Sequence, residues 1–306
     1  MRAAAAPGLA VAIGLAVGLF LFGCGGSDEA QDAPEPGSLE ALWRAPGEDV
    51  TIVPGAADFE PGRVRLPFLV VDGEGRLVSR PTARVWLSRG LEQRPFAETT
   101  ARRERVGAGA AEEGEATDAF VVELDVDEPG KYWLLAEPVG GRRIQALGNL
   151  EVEEESLAPD VGDEAIASDT PTLESTGGHL AALTTQDPPD RELLRYSIAD
   201  SLADRAPFVV AFATPRYCTS RVCGPVVDVL SAVRRRFAGS GVRFIHVEIY
   251  EGNNPAQGFN RWVEEWGLPT EPFTFVVGGD GRIKARFEGT VSERELGAAV
   301  QAHLRG

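Results

Sequence analysis

Hydrophobic and polar residues alternate along the first half of the chain in the manner of β-strands. In AFVVELDV, the side chains of Phe120, Val122, Leu124 and Val126 share one face because they are spaced two residues apart. Similar short runs cover residues 63–72 and 83–88 and the segments KYWLLAEP and ALGNLEVE, and turn signals such as DEPG separate them. Short strands without a long helix predict an antiparallel all-β domain over residues 39–152.

The pattern changes from about residue 190. PFVVAFA (207–213), VRFIHVEIYE (242–251) and PFTFVV (272–277) are continuous apolar runs, which are typical of strands buried on both faces. Amphipathic segments lie between them, and Ser292 and Glu295 have the spacing of a capping box before the last one. The predicted order α-β-α-β-α-β-β-α indicates a mixed α/β sheet covered by helices on both faces, over residues 190–306.

Together these patterns predict a multi-domain protein. Its front part is expected to be an immunoglobulin-like β-sandwich, although the Cys…Trp…Cys spacing of antibody domains is missing. Residues 151–190 contain eleven acidic residues and no Lys or Arg, so residues 153–189 are expected to be an acidic linker. The net charge of −17 argues against nucleic-acid partners, because phosphate binding needs clustered basic residues.

The N-terminus has the pattern of an export signal. Arg2 precedes an apolar run from about residue 8 to 22, which is shorter than the roughly 20 apolar residues of a membrane-spanning helix. Leu-Phe-Gly-Cys, ending at Cys24, resembles the bacterial lipobox, with Phe22 in place of the usual smaller residue. We therefore expect a signal peptide at 1–23, lipidation of Cys24, a flexible tether at 24–38, and anchoring at the extracytoplasmic face of the cell membrane. A plain signal peptide and an uncleaved anchor remain alternatives.

The other two cysteines, Cys218 and Cys223, follow an apolar run and precede a predicted helix. Outside the cytoplasm, such thiols form lasting disulfides. On a regular helix, residues five apart differ by about 7.5 Å in axial rise, too far for a bridge whose Cα atoms lie about 4.4–6.8 Å apart. Cys218 is therefore expected in the loop or at the helix opening, with an irregular segment up to Cys223 and regular helix beyond Gly224.

Residues 190–306 resemble the thioredoxin superfamily. The resemblance depends on three features: a buried strand running into a Cys pair that opens a helix (FVVAFATPRYCTSRVCGPVVDVL), a Pro at the start of the third strand (Pro272), and the closing hairpin GGDGRIKARFEG with its helix. One departure is that four residues separate the cysteines, where the family's usual W-C-G-P-C motif has two.

The resemblance implies a thiol–disulfide oxidoreductase acting on protein thiols or disulfides outside the cytoplasm, without a metal or other cofactor. Cys218 would be the nucleophile and Cys223 the resolving thiol. A helix N-terminus lowers a thiol pKa, and Arg216 and Arg221 flank the pair. Pro272, if cis, and Tyr217 would contact the substrate.

Three alternatives remain open at this point. The pair could be a purely structural disulfide in a thioredoxin-fold binding module, as the wide spacing suggests. It could bind Cu(I) with a distant histidine, His246, because soft thiolates select that metal. It could also be part of a peroxiredoxin-like peroxidase, since Thr214 precedes Cys218 by four residues. The lone His179 is expected to be incidental, and Asp58, Asp72 and Asp280 are expected to be turn residues.

Overall fold

The computed structural model of the protein describes residues 33–107, 118–141, 143–218 and 223–303. The predicted signal peptide 1–23, Cys24 and residues 25–32 of the predicted tether lie outside these residues. The part from Pro34 onward is one compact unit with two sheets. No helix within the described part of the chain is long and apolar enough to cross a membrane.

Seven strands form the front sheet, after the short helix α1 (Leu39–Trp43). They are β1 (Glu48–Pro54), β2 (Gly62–Asp72), β3 (Thr82–Ser88), β4 (Ala97–Arg105), β5 (Asp118–Val126), β6 (Gly130–Pro138) and β7 (Ile144–Val152). The hydrogen-bonded order is β1-β2-β5-β4-β3-β6-β7, and it closes because β1 pairs in parallel with β7. All other neighbours in this sheet are antiparallel.

The predicted immunoglobulin-like sandwich of two separate sheets is not confirmed, because the strands form one closed, barrel-like sheet. Pairing of β3 with β4, from Thr82↔Arg102 to Leu87↔Ala97, joins the two halves that a sandwich would keep apart. The inward face is nevertheless the predicted one, since Phe120, Val122, Leu124 and Val126 are all buried. An alternating pattern puts every second side chain inside either architecture, so it does not distinguish a sandwich from a barrel.

Four strands form the rear sheet, in the order β11-β10-β8-β9. They are β8 (Phe208–Phe212), β9 (Arg243–Val247), β10 (Phe273–Val277) and β11 (Ile283–Glu288). β8 and β9 are parallel, whereas β10 runs antiparallel to both β8 and β11. The helices are α2 (Ile198–Ala203), α3 (Cys223–Arg236), α4 (Arg261–Glu265) and α5 (Glu293–His303).

Helices cover both faces of the rear sheet, as its continuous apolar strands predict. One core lies between the sheet and helices α3 and α5, and a second lies on the side of α2 and α4. Every residue of β8 is buried. The predicted capping box is present, since the backbone N–H of Ser292 donates to the Glu295 carboxylate and the N–H of Glu295 donates to Ser292 Oγ.

Residues 153–189, predicted as an acidic linker, run along the rear sheet and its helices. The N–H of Gly162 donates to the carbonyl of Ile283 at 2.9 Å, and the N–H of Ile283 donates back to Asp163 at 2.9 Å. Further along, the indole N–H of Trp266 donates to Ser168 Oγ at 3.1 Å. The segment has no helix or strand of its own beyond the short 3₁₀ turn Leu180–Ala182, but its hydrogen bonds make it part of the folded unit.

Buried charged groups join the barrel to the rear domain. The carboxylate of Glu288, at the end of β11, accepts hydrogen bonds from the backbone N–H groups of Ala57 and Asp58 at 2.8 and 2.9 Å. The Asp58 carboxylate in turn pairs with Arg286, also on β11. Asp58 is therefore an interdomain residue and not only the turn residue that the sequence suggested.

Two further ion pairs lie on the same interface. Arg65 of β2 pairs with Glu295 of α5 at 2.9 Å, and Glu104 of β4 pairs with Arg294 and accepts from Ser292 Oγ. These contacts place the end of β4 beside the helices of the rear domain.

Two glycines allow a close approach across the interface. Gly289, which has a φ of +70°, lies so near the barrel that a Cβ there would be 1.9 Å from the carbonyl oxygen of Gly55. A Cβ on Gly107, just after β4, would lie 3.4 Å from the Cβ of Pro225 in α3. The barrel therefore contacts the helix that carries the second cysteine.

Candidate functional site

The two cysteines lie where β8 leads into helix α3. Cys218 is half-buried in the loop after β8, and Cys223 is the first residue of α3 and fully buried. The two cysteines are not joined by a disulfide in this structure. The helix thus begins at Cys223, close to the predicted start after Gly224, and Cys218 lies outside it as predicted. Thr219, Ser220, Arg221 and Val222 lie outside the described residues.

The first N–H of helix α3 is directed at the sulfur of Cys218. The backbone N–H of Cys223 donates to Cys218 Sγ, with 3.1 Å between nitrogen and sulfur. N–H groups in the first turn of a helix have no partner within the helix, and the helix dipole makes this end partly positive. Both effects stabilise negative charge on the sulfur, so the geometry favours Cys218 as the thiolate.

Glu271 completes the site, and it was not predicted from the sequence. The Sγ of Cys223 donates a hydrogen bond to Oε2 of Glu271 over 2.6 Å. One ligand atom from each of Cys218, Cys223 and Glu271 lies within 4.8 Å of the others. Burial raises the pKa of the Cys223 thiol well above its usual value, and the neighbouring Cys218 and Glu271 raise it further. Cys223 is therefore held in its protonated form.

Strand register explains why a residue so distant in sequence reaches the cysteines. Phe273, the first residue of β10, pairs with Phe212, the last residue of β8. The residues before β10 and those after β8 therefore lie at the same end of the sheet. The Glu271–Pro272 peptide is cis, which is the isomer that the resemblance implied for Pro272.

Two tyrosines lie near the cysteines. Tyr217, the predicted substrate contact, directly precedes Cys218 and exposes 38% of its surface. Tyr250, which follows β9, was not predicted. Burial raises its pKa, and so do the negative charges that Glu271 and the two cysteines can carry, so Tyr250 lies within electrostatic range of the site. Phe259 stacks on Tyr250 with 5.6 Å between ring centroids and is itself exposed.

Arg216 lies on the loop that leads to Cys218. Its side chain is exposed, and its backbone N–H donates to Thr185 Oγ1 at 3.1 Å. This hydrogen bond connects the loop with the 153–189 segment. Arg221, the other predicted flanking cation, lies outside the described residues.

His246, the candidate Cu(I) ligand, is buried on β9 with both ring nitrogens in hydrogen-bonding distance of other groups. Nε2 lies 3.0 Å from the carbonyl oxygen of Ala213, and Nδ1 lies 3.3 Å from Thr184 Oγ1. Within the described residues, the group of possible metal ligands is Cys218, Cys223 and Glu271, without His246. This arrangement does not favour the alternative in which Cys218, Cys223 and His246 bind Cu(I).

Thr214, the residue behind the peroxidase alternative, is fully buried beneath the loop. Its hydroxyl oxygen has no hydrogen-bond partner among the described residues. A threonine that assisted a peroxidatic cysteine would need its hydroxyl directed at Cys218, and no such hydrogen bond occurs between these two residues.

Asp72 and Asp280 are turn residues, and His179 has no side-chain cap role. Asp72 accepts from the backbone N–H groups of Glu74 and Arg76, and Asp280 accepts from that of Arg282, as expected of turn residues. His179 is exposed and precedes the 3₁₀ turn without capping it.

Comparisons with known proteins give only weak similarity, and it is to solved structures. No protein-family model matches the chain, and no curated protein matches it. Among solved structures, a thiol:disulfide interchange protein of the thioredoxin family from Chlorobium tepidum TLS is similar, with 15% sequence identity and a TM-score of 0.32. The match covers 48% of this chain and 98% of that chain. Such a similarity is too low to decide fold or function.

Proposed function

We propose that the protein is a thiol–disulfide oxidoreductase of thioredoxin-like fold that uses Cys218 as nucleophile and Cys223 as resolving thiol. The observation that carries the proposal is the pair of thiols at the helix opening, with a backbone N–H donated to the sulfur of Cys218 and Glu271 on the sulfur of Cys223. The order of the rear strands also supports it.

The reaction consists of two exchanges. The Cys218 thiolate attacks a disulfide R–S–S–R′, a bond forms between Cys218 and RS, and R′S⁻ leaves with the electron pair of the broken bond. Cys223 loses its proton and attacks the sulfur of Cys218, so that RS⁻ leaves and a Cys218–Cys223 disulfide remains. The substrate is thereby reduced by two electrons, and the same steps in reverse oxidise a dithiol.

The substrates we propose are protein disulfides or dithiols outside the cytoplasm, with the protein attached to the membrane by lipid on Cys24. The lipobox-like sequence at residues 21–24 and the acidic, low-complexity stretch after it support this location. Loss of membrane attachment in a Cys24→Ala variant is the expected result, and unchanged attachment would contradict it.

The barrel is proposed to be related to immunoglobulin-like domains. Its order divides into β1-β2-β5-β4 and β3-β6-β7, which is the strand assignment of such domains. The hydroxyl of Tyr132, near the start of β6, donates to the backbone carbonyl of Glu128, which is the arrangement of a tyrosine corner.

A redox titration of the full chain with Cys24→Ser tests the proposed activity. We expect a potential in the range of about −120 to −270 mV, together with catalysed reduction of insulin by dithiothreitol. Cys218→Ser should abolish turnover, whereas Cys223→Ser should accumulate a mixed disulfide. A potential below about −300 mV without turnover would contradict the proposal and would indicate a structural disulfide. The complete burial of Cys223 is the observation that favours this second candidate.

A further inference from the structure

The burial of Cys223 raises a question about its proton. The resolving step needs a thiolate at Cys223, but this side chain has no solvent-exposed surface. Burial penalises the charged form, and no bulk water reaches the sulfur to take the proton. A group on the protein must therefore accept it during the attack on Cys218.

Glu271 has the position of such an acceptor. Its Oε2 lies 2.6 Å from Cys223 Sγ, within the reach of about 2.6–3.2 Å that general-base catalysis requires. The Glu271 side chain is only half-buried, so a proton that it receives can pass on to solvent. Among the described residues, Glu271 is the residue whose carboxylate oxygen lies within 4.8 Å of both cysteine sulfurs.

The backbone fixes this carboxylate independently of the cysteine loop. Glu271 directly precedes Pro272 and strand β10, whose pairing with β8 sets its distance from the helix opening. The titratable groups that face it come from three other elements: Cys218 from the loop after β8, Cys223 from α3 and Tyr250 from the segment after β9. Each of these three becomes negative when it titrates, and Arg216 lies on the same loop as Cys218.

We propose that Glu271 is the general base of the resolving step, a role that rests on the proposed oxidoreductase function. In the mixed disulfide, the Cys223 thiol gives its proton to the Glu271 carboxylate, and the sulfur attacks Cys218 Sγ. The bond between Cys218 and the substrate sulfur breaks, and the substrate thiolate leaves with its electron pair. The Glu271 carboxylic acid then loses its proton to solvent, and in the reverse reaction it returns a proton to Cys223.

Single-turnover reaction with the chromogenic disulfide DTNB separates the two exchanges in the full chain with Cys24→Ser. The first thionitrobenzoate is released when Cys218 attacks, and the second is released when Cys223 resolves. In Glu271→Gln, we expect the second release to slow by about 100-fold at neutral pH, with the first release changed less than about threefold. The slow release should accelerate about tenfold per pH unit, because without the Glu271 carboxylate the rate depends on the small fraction of Cys223 that is already ionised.

Two variants complete the test. Glu264→Gln, an exposed carboxylate on α4, is the matched control and should leave both releases unchanged. Glu271→Asp retains a carboxylate and should recover part of the lost rate, which a purely structural defect would not allow. A second release in Glu271→Gln at the parent rate and with the parent pH dependence would overturn the role of Glu271. Absence of either release in the parent protein would instead overturn the oxidoreductase function and the role of Glu271 with it.

Discussion

Replacing Asp58 by Asn should destabilise the whole protein, because Asp58 connects the barrel with the rear domain. Its carboxylate accepts from the backbone N–H groups of Leu157 and Ala158 at 2.8 and 3.0 Å and pairs with Arg286. The side chain of Asp58 is 3% exposed and that of Arg286 is 10% exposed, so water cannot replace the lost partner. Asn also turns an NH₂ group toward one of these donors.

The expected loss follows from the burial of the pair. Breaking a buried ion pair by removing one partner costs about 3–5 kcal/mol. Asp160, which lies 4.0 Å from Arg286, retains a weak attraction, so we expect the lower end, about 3 kcal/mol. An unfolding entropy of about 2.1 cal/mol/K per residue over roughly 270 residues converts this loss to a decrease in Tm of about 5 °C.

Urea unfolding followed by tryptophan fluorescence measures the loss. Three of the five tryptophans lie in the front domain and two in the rear domain, so the signal reports on both. The double variant Asp58→Asn/Arg286→Met should recover part of the lost free energy, because it leaves no unpaired buried charge. A loss below about 1 kcal/mol for Asp58→Asn, or no recovery in the double variant, would refute the reasoning.

Two further predictions concern charge and thiol reactivity. Burial opposes ionisation of Glu295, but hydrogen bonds and charge from Arg65 and Ser292 outweigh the burial and lower the pKa of Glu295. The ionised carboxylate therefore contributes stability above about pH 4.3, and this contribution is lost as pH falls through the pKa of the folded state. Glu295→Gln should therefore cost about 2 kcal/mol at pH 7 and almost nothing near pH 2, as urea midpoints at the two pH values would show; an equal loss at both would contradict this. In the reduced protein, iodoacetamide should label Cys218 much faster than Cys223, because burial raises the pKa of the Cys223 thiol. Peptide mass spectrometry at neutral pH checks this, and equal labelling rates in the folded protein would contradict the assignment of roles.

The rear sheet and its cysteines could be predicted from sequence because each has a local signal. Continuous apolar runs mark strands buried on both faces, and Ser292 and Glu295 mark a helix start by their spacing alone. The spacing of Cys218 and Cys223 excluded a regular helix across both. These signals depend on neighbouring residues, which a single sequence shows directly.

Glu271 could not be found in this way. It lies 48 residues from Cys223, and only the pairing of β10 with β8 brings it to the sulfur. An isolated glutamate before a proline has no local pattern that distinguishes it from a surface residue. Closure of the barrel was missed for a related reason, because strand pairing and not strand periodicity decides between one sheet and two.

Residues 153–189 illustrate a different limit. Their acidic composition indicates a solvated linker, yet backbone groups such as the N–H of Gly162 and the carbonyl of Asp163 attach them to β11. Every residue carries these backbone groups, so composition does not reveal which of them will pair.

Strand β11 faces the barrel with charged groups whose partners belong to another module. If the rear domain were cut out at residue 190, Arg286 and Glu288 would lose the partners that Asp58 and Ala57 supply. Gly289 would also lose the close contact with the Gly55 carbonyl, which leaves no room for a side chain at this position. Exchange of one half for a domain from an unrelated protein, by engineered fusion or by natural recombination, would leave these charged groups without their partners. The two halves are thus expected to be inherited as a pair.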